Sequence, residues 1–83
     1  MIKLKPSKYT EVCGWYGMSA ILLAYILVSF DAIASNSLAF QLLNLTGGLG
    51  IIIVSLSKGV AQSVILNIFW SLVALIAITR ILF

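Results

Sequence analysis

Charged residues interrupt the chain at only a few points and leave three long uncharged runs between them. The runs cover residues 12–30, 38–57 and 60–79. Each has about 20 residues, the length that an α-helix needs to cross the hydrocarbon core of a bilayer. Because backbone amides in lipid must be paired within the protein, the runs predict helices. The pattern therefore indicates an all-α integral membrane protein, a bundle of three transmembrane helices.

A short polar segment, residues 1–11, precedes the first run. Ser7 or Thr10 can cap the start of the first helix, because a side-chain hydroxyl accepts hydrogen bonds from the unpaired amides of a first turn. Glu11 then suits the positive end of the helix dipole. We expect this segment to be a cytoplasmic lead and residues 12–83 to form the transmembrane domain.

Two short breaks separate the runs. The first extends from Asp31 to Ser37, and the second consists of Lys58 and Gly59. A two-residue connection is typical of neighbouring antiparallel helices. The second and third helices are therefore predicted to form a tight hairpin.

The basic residues predict the orientation. With three spans, the N-terminus and the Lys58 turn share one side of the membrane, and the Asp31 turn and the C-terminus share the other. The first side carries Lys3, Lys5, Lys8 and Lys58, and the second carries Arg80. Lysine and arginine accumulate on the cytoplasmic side, which predicts a cytoplasmic N-terminus and an external C-terminus (N-in, C-out).

The composition agrees with a membrane environment. Hydrophobic residues make up 63% of the 83 residues, charged residues make up 8%, and the mean hydropathy is +1.21. A soluble domain of this size needs far more polar surface. The net charge of +3 comes mainly from lysines near the N-terminus. This distribution suits membrane orientation and predicts no nucleic-acid partner.

The chain lacks the residues that catalytic and metal sites require. It has no histidine and one cysteine, Cys13. Its two acids, Glu11 and Asp31, lie at opposite ends of the first span, about 30 Å apart at 1.5 Å per residue. Acid–base pairs, nucleophile–histidine pairs and metal clusters are therefore not expected. We predict that the protein is not an enzyme and binds no cofactor.

Small residues mark the faces through which the helices can approach each other. Membrane helices associate by close packing, which favours glycine and alanine at the contact. The residues that we expect to pack the helices or to act as hinges are Gly17, Ala24, Gly47, Gly48 and Gly50.

The spans contain the primary amides Gln41, Asn44 and Asn67. An unpaired amide is costly in hydrocarbon, so each must face another helix, another subunit or a water-filled cavity. Asn67 and its neighbour Trp70 occupy one side of the third helix. These four residues are the candidate solute-binding residues, and hydrogen bonding between helices is the other interpretation.

Four short motifs carry a family resemblance. They are Gly14-Trp15-Tyr16-Gly17, Ala24-Tyr25, Gln41-x-x-Asn44-x-x-Gly47 and Asn67-x-x-Trp70. With them the chain resembles, from about residue 9 to residue 77, a family of short, uncharacterised bacterial three-span membrane proteins. The resemblance implies a multi-pass protein of a bacterial inner membrane and no particular activity.

A wider likeness is to the three-helix units of the semi-SWEET sugar transporters (the PQ-loop, or MtN3-like, proteins), the nicotinamide riboside transporters and the mitochondrial pyruvate carriers. In the sugar transporters an asparagine of the third span lines the solute site, and Asn67 matches it. One such unit is half a transporter. The chain lacks their hinge proline, since its only proline is Pro6, so a hinge would have to use the glycines of the second span.

Two functions therefore remain open. The first is a homodimeric half-transporter for a small polar solute, since three helices alone cannot surround a pathway. The alternative is a non-transporting accessory subunit that packs against a larger membrane protein. The first predicts self-association, and the second predicts a different membrane protein as partner.

Overall fold

The computed structural model describes residues 4–83, which contain three α-helices and no strand. The helices are α1 (Lys8–Ser29), α2 (Leu38–Lys58) and α3 (Ala61–Leu82). Each is long and apolar enough to cross a membrane, which confirms the all-α, three-helix prediction. Lys3, one of the lysines used to predict the orientation, lies outside the described residues.

The start of α1 lies within the polar lead, four residues before the first uncharged run. Ser7 is the N-cap: its Oγ accepts a hydrogen bond from the Thr10 amide at 3.3 Å, and the Thr10 Oγ1 accepts from the Ser7 amide at 3.0 Å. This reciprocal capping pairs the Ser7 and Thr10 amides, which would otherwise be unpaired, so the helix begins directly after Ser7. Both predicted capping hydroxyls therefore take part.

The two turns follow from local chemistry. The Ser37 hydroxyl accepts from the Phe40 amide at 3.2 Å and caps the start of α2. Gly59 ends α2 with a left-handed φ of 70°, a conformation in which a side chain would be strained. With α3 starting at Ala61, the tight α2–α3 hairpin is confirmed.

The helices form an open layer with α2 in the middle. Both α1 and α3 pack against α2, and within the described chain no Cα atom of α1 lies within 8 Å of a Cα atom of α3. We refer to the two ends of the layer as the Asp31 end, with the α1–α2 turn and the end of α3, and the Lys58 end. The α2 residues between the two contacts, Asn44 and Ile51, are partly buried, while Leu42 and Leu49 on the far side of α2 are exposed.

Glycines let the backbones of α1 and α2 approach closely. A Cβ atom on Gly17 would lie 2.5 Å from the Gly47 carbonyl oxygen, and one on Gly50 would collide with the Cys13 carbonyl oxygen. Ala24, further along the same face of α1, is fully buried. Close approach of this kind supplies the van der Waals packing that holds membrane helices together.

Two polar contacts add to the α1–α2 interface. Tyr16 and Thr46 hydroxyls are hydrogen-bonded at 2.6 Å. At the Lys58 end, the Lys58 ammonium and the Glu11 carboxylate form an ion pair at 3.0 Å, with both side chains about half exposed. An exposed pair of this kind contributes little stability, about 1 kcal/mol or less.

The α2–α3 interface uses a glycine and several serines. Ser71 occupies the space next to Gly48, where a Cβ atom would lie 2.6 Å from the Ser71 hydroxyl oxygen. This oxygen is buried and has no hydrogen-bond partner among the described residues. Nearer the turn, Ser55 donates to the Ser63 hydroxyl at 2.8 Å. The serines therefore bring α2 and α3 close together, at the cost of one unpaired hydroxyl.

We expect Gly50→Ala to lower the free energy of unfolding by about 1–3 kcal/mol, because the added methyl group meets the backbone of α1, which cannot rotate away. Ser19→Ala is the matched control: Ser19 is an exposed residue of α1, so the cost of this change should be close to zero. Thermal unfolding in detergent, followed by the fluorescence of Trp15 and Trp70, measures both. Equal losses for the two variants would contradict the backbone contact.

Gly48 and Ser71 should be energetically coupled. Gly48→Ala is expected to destabilise the protein because its methyl group meets the Ser71 hydroxyl, whereas Ser71→Ala removes a buried unpaired group and should be neutral or stabilising by about 1 kcal/mol. In the double variant the new methyl group faces the Ser71 Cβ position at 3.9 Å, an ordinary contact. The double variant should therefore recover most of the loss in the same unfolding assay, and strictly additive effects would contradict this packing.

Candidate functional site

The side of α2 between its contacts with α1 and α3 is partly buried and faces the gap between those two helices. Gly47 faces α1 and Gly48 faces α3. At roughly 100° per residue, Asn44 and Ile51 point into the angle between these two directions. Ile51 packs against the Gly17 position of α1, and Asn44 and Ile51 are both partly buried, so the subunit fills this angle only in part. We call this region the open groove, with Asn44 and Ile51 at its floor.

The polar side of α3 borders the open groove. The opposite side of the α2–α3 pair carries an apolar cleft of about 210 Å³, lined by Leu45, Leu49, Ile52, Ile68, Ser71, Leu72 and Leu75. Helical periodicity places three residues on the side of α3 that is nearer the groove: Ser63, Asn67 and Trp70. The layer therefore has a polar groove on one face and an apolar surface on the other.

Asn44 is the least satisfied polar residue of the groove. It is half-buried, and its amide makes no hydrogen bond with any residue in the range 4–83. It lies about 9 Å from the start of α2 at 1.5 Å per residue, well inside the apolar part of the helix. An amide at that depth costs several kcal/mol unless a partner or water reaches it.

Asn67, in contrast, is held by its own helix. Its Nδ2 donates to the Ser63 carbonyl oxygen at 2.9 Å and lies 3.5 Å from the Ser63 hydroxyl oxygen. Ser63 in turn accepts from Ser55 across the interface. This short chain of hydrogen bonds fixes the orientation of the Asn67 amide, and its Oδ1 accepts no hydrogen bond from the described part of the chain.

The structure places Asn44 and Asn67 at different depths. Gly48 lies opposite Ser71, with Asn44 four residues towards the Asp31 end and Asn67 four residues towards the Lys58 end. On antiparallel helices this separates the amides by about 12 Å along the axis. They therefore do not converge on one small solute within a single subunit.

The other two predicted residues lie elsewhere along the layer. Gln41 is near the Asp31 end, where its Nε2 donates to the Ser35 carbonyl oxygen at 3.1 Å. Trp70 lies at mid-depth, 55% exposed, and its ring packs edge to face with Phe69 at a centroid distance of 6.1 Å. The four candidates thus line the length of α2 and α3 instead of a single pocket.

Sequence patterns alone did not identify the serines that hold Asn67. Ser63 precedes Asn67 by four residues, a spacing that permits contact on a helix. The Ser55–Ser63 contact, however, depends on the register of the hairpin. Within residues 4–83, no group of three or more His, Cys, Asp or Glu residues could hold a metal ion. The groove offers hydrogen-bonding amides and hydroxyls without charge.

Comparison with known proteins gives a family but no activity. No curated protein and no solved structure matches the chain. A protein-family model matches residues 10–83, which include all but the first two residues of α1 and the whole of α2 and α3. The family is uncharacterised, and the likeness to the semi-SWEET units stays a prediction. On this match, the chain belongs to this uncharacterised protein family, as a small protein of three apolar helices that fit a membrane.

Proposed function

We propose that the protein is half of a carrier for a small polar solute, and that two copies face each other across their open grooves. The observation that supports this is the unpaired, half-buried Asn44 amide on the side of α2 between α1 and α3. A polar group at this depth requires a partner, and a facing subunit or a hydrated pathway would supply one.

The two faces of the layer suit this arrangement. The apolar cleft on the reverse face has no polar surface and matches lipid. The groove face carries the amides of Asn44 and Asn67. In a face-to-face pair, six helices would surround the groove, with amides at two depths about 12 Å apart in each copy. A solute would then pass successive hydrogen-bonding positions near the middle of the membrane, where transporters bind their substrates.

Asn67 is the residue that we assign to solute contact. Its Nδ2 is already bonded to the Ser63 carbonyl oxygen, so the orientation of the amide is preset. Its Oδ1 is left to accept a hydrogen bond from a solute hydroxyl or amine. A fixed acceptor loses little conformational entropy when the solute binds, which favours recognition.

The same proposal includes the orientation and the location. Among the described residues, Lys5, Lys8 and Lys58 lie at or before the Lys58 end, and Arg80 lies at the Asp31 end. By the positive-inside rule, the Lys58 end would face the cytoplasm of a bacterial inner membrane.

An alkaline phosphatase domain fused after Phe83 should be active in a bacterial host, because the C-terminus is expected on the external side, where this enzyme forms its disulfides. A green fluorescent protein fused at the N-terminus should fluoresce, since it matures in the cytoplasm. An inactive phosphatase on a membrane-inserted fusion would reverse the proposed orientation.

An accessory subunit is the second candidate. The four candidate residues are spread along the layer, which favours this role because such a line can pair with one helix of a larger protein. They are Gln41, Asn44, Trp70 and Asn67. The open groove is of a form that could accept such a helix. The two candidates differ in what occupies the groove: a second copy with a solute, or a different membrane protein.

Native mass spectrometry of the protein released from nanodiscs should show a homodimer, and Asn44→Leu should shift it towards the monomer because the groove loses its polar contact. Gln62→Leu is the matched control, since Gln62 is an exposed amide on the face of α3 opposite Ser71. A wild-type monomer, or a fixed complex with another protein, would favour the accessory subunit.

Transport can be measured as uptake into proteoliposomes. The solutes to test are glucose, nicotinamide riboside and pyruvate, the solutes of the transporter families that the chain resembles. Asn67→Leu should abolish the uptake of whichever solute is carried, while Gln62→Leu should retain it. A homodimer whose uptake survives Asn67→Leu would refute the solute-contact role of Asn67.

A further inference from the structure

A second cleft, mainly apolar with a few polar groups, lies at the Asp31 end, separate from the middle of the open groove. It has a volume of about 300 Å³ and is lined by Ser35, Asn36, Gln41, Ala77, Arg80 and Ile81. The α1–α2 turn, the first turn of α2 and the last turns of α3 all contribute to it. Because three separate parts of the chain converge there, the cleft depends on the fold.

The polar residues of this cleft are rich in free hydrogen-bond donors. The side chains of Ser35, Asn36 and Arg80 make no hydrogen bond with any residue in the range 4–83. Gln41 uses one amide hydrogen on the Ser35 carbonyl oxygen and retains the other. The guanidinium alone offers five N–H groups in a planar fork. Residues with unpaired donors and one cation therefore line an otherwise mainly apolar cleft.

No acidic side chain lines the cleft or neutralises its cation. The Lys58–Glu11 pair is the one ion pair in the described part of the chain, so Arg80 has no carboxylate within 4 Å. Asp31 lies at the same end but does not line the cleft. The first amides of α2, just beyond Ser37, add the positive end of a helix dipole nearby. The negative ends of the α1 and α3 dipoles lie at the same end, so the attraction for an anion rests on the guanidinium and the unpaired donors.

The depth of Arg80 matches that of lipid phosphate. Arg80 lies 19 residues after Ala61, or about 29 Å along α3. The hydrocarbon core of a bilayer is about 30 Å thick, so a guanidinium at this position reaches the headgroup layer. Ala77 and Ile81 provide an apolar border beside it. An anion with an attached acyl chain would satisfy both parts of the cleft.

We propose that this cleft binds a phosphate group, with Arg80 as the main ligand, assisted by Asn36, Ser35 and Gln41. A phospholipid headgroup is the source that the depth and the apolar border favour, and free phosphate shares the same chemistry. Arginine and phosphate form bidentate, charge-assisted hydrogen bonds, which are stronger than neutral ones. The site would anchor a lipid against the α1–α2 turn and the end of α3.

The test uses purified, delipidated protein in detergent and native mass spectrometry. Three ligands are compared: dioctanoyl phosphatidylglycerol, dioctanoylglycerol with the same chains and no phosphate, and inorganic phosphate. We expect phosphatidylglycerol to bind at least about tenfold more tightly than dioctanoylglycerol, the effect of one charge-assisted hydrogen bond. Arg80→Ala should remove most of this preference, and Arg80→Lys should restore only part of it.

Lys8→Ala is the matched control, because it removes one positive charge at the other end of the layer. Asn36→Ala, a change in an exposed turn, is the second variant and should weaken binding without disturbing the helices. Binding of inorganic phosphate that depends on Arg80 would support the site with a free anion as its ligand. Equal binding of the two lipids, or equal effects of Arg80→Ala and Lys8→Ala, would overturn the proposal.

Discussion

Two consecutive glycines in the middle of α2 determine the shape of the layer. Gly47 and Gly48 point about 100° apart on the helix, so one faces α1 and the other faces α3. Each allows a close contact with its neighbour: Gly47 with the Gly17 region, Gly48 with Ser71. Because α2 makes both contacts, α1 and α3 do not need to touch. The open groove, and every functional proposal based on it, depends on this arrangement.

Polar groups in the layer fall into two classes, and the difference carries the functional argument. Several hydroxyls donate to carbonyl oxygens of their own helix, as Ser57, Thr46 and Thr79 do at 2.6–2.8 Å. Such groups cost little in lipid because they are already paired. Asn44 has no such partner within the described chain. In the proposed carrier, a facing subunit or water would supply the partner of this amide.

The charged residues lie at the ends of the layer and differ in their pairing. At the Lys58 end, Lys58 and Glu11 neutralise each other across α1 and α2. At the Asp31 end, Arg80 lies beside unpartnered donors with no carboxylate within 4 Å among residues 4–83. The first arrangement is structural, and the second leaves a cation available for an anionic ligand. The groove and this cleft are therefore two separate candidate sites on one small protein.

The sequence by itself determined the three helices, a cap at Ser7 or Thr10 and the hairpin at Gly59, because these depend on hydrophobic run length and on local backbone chemistry. It also marked the glycines inside the spans as candidate packing positions and the amides as candidate binding positions. Only the tertiary structure decided that α2 is central, that Asn44 and Asn67 lie at different depths, and that Arg80 meets Asn36 and Gln41 in one cleft. These features depend on which helix faces pair and in what register. Composition does not encode that choice, since all three helices carry small residues that permit close packing.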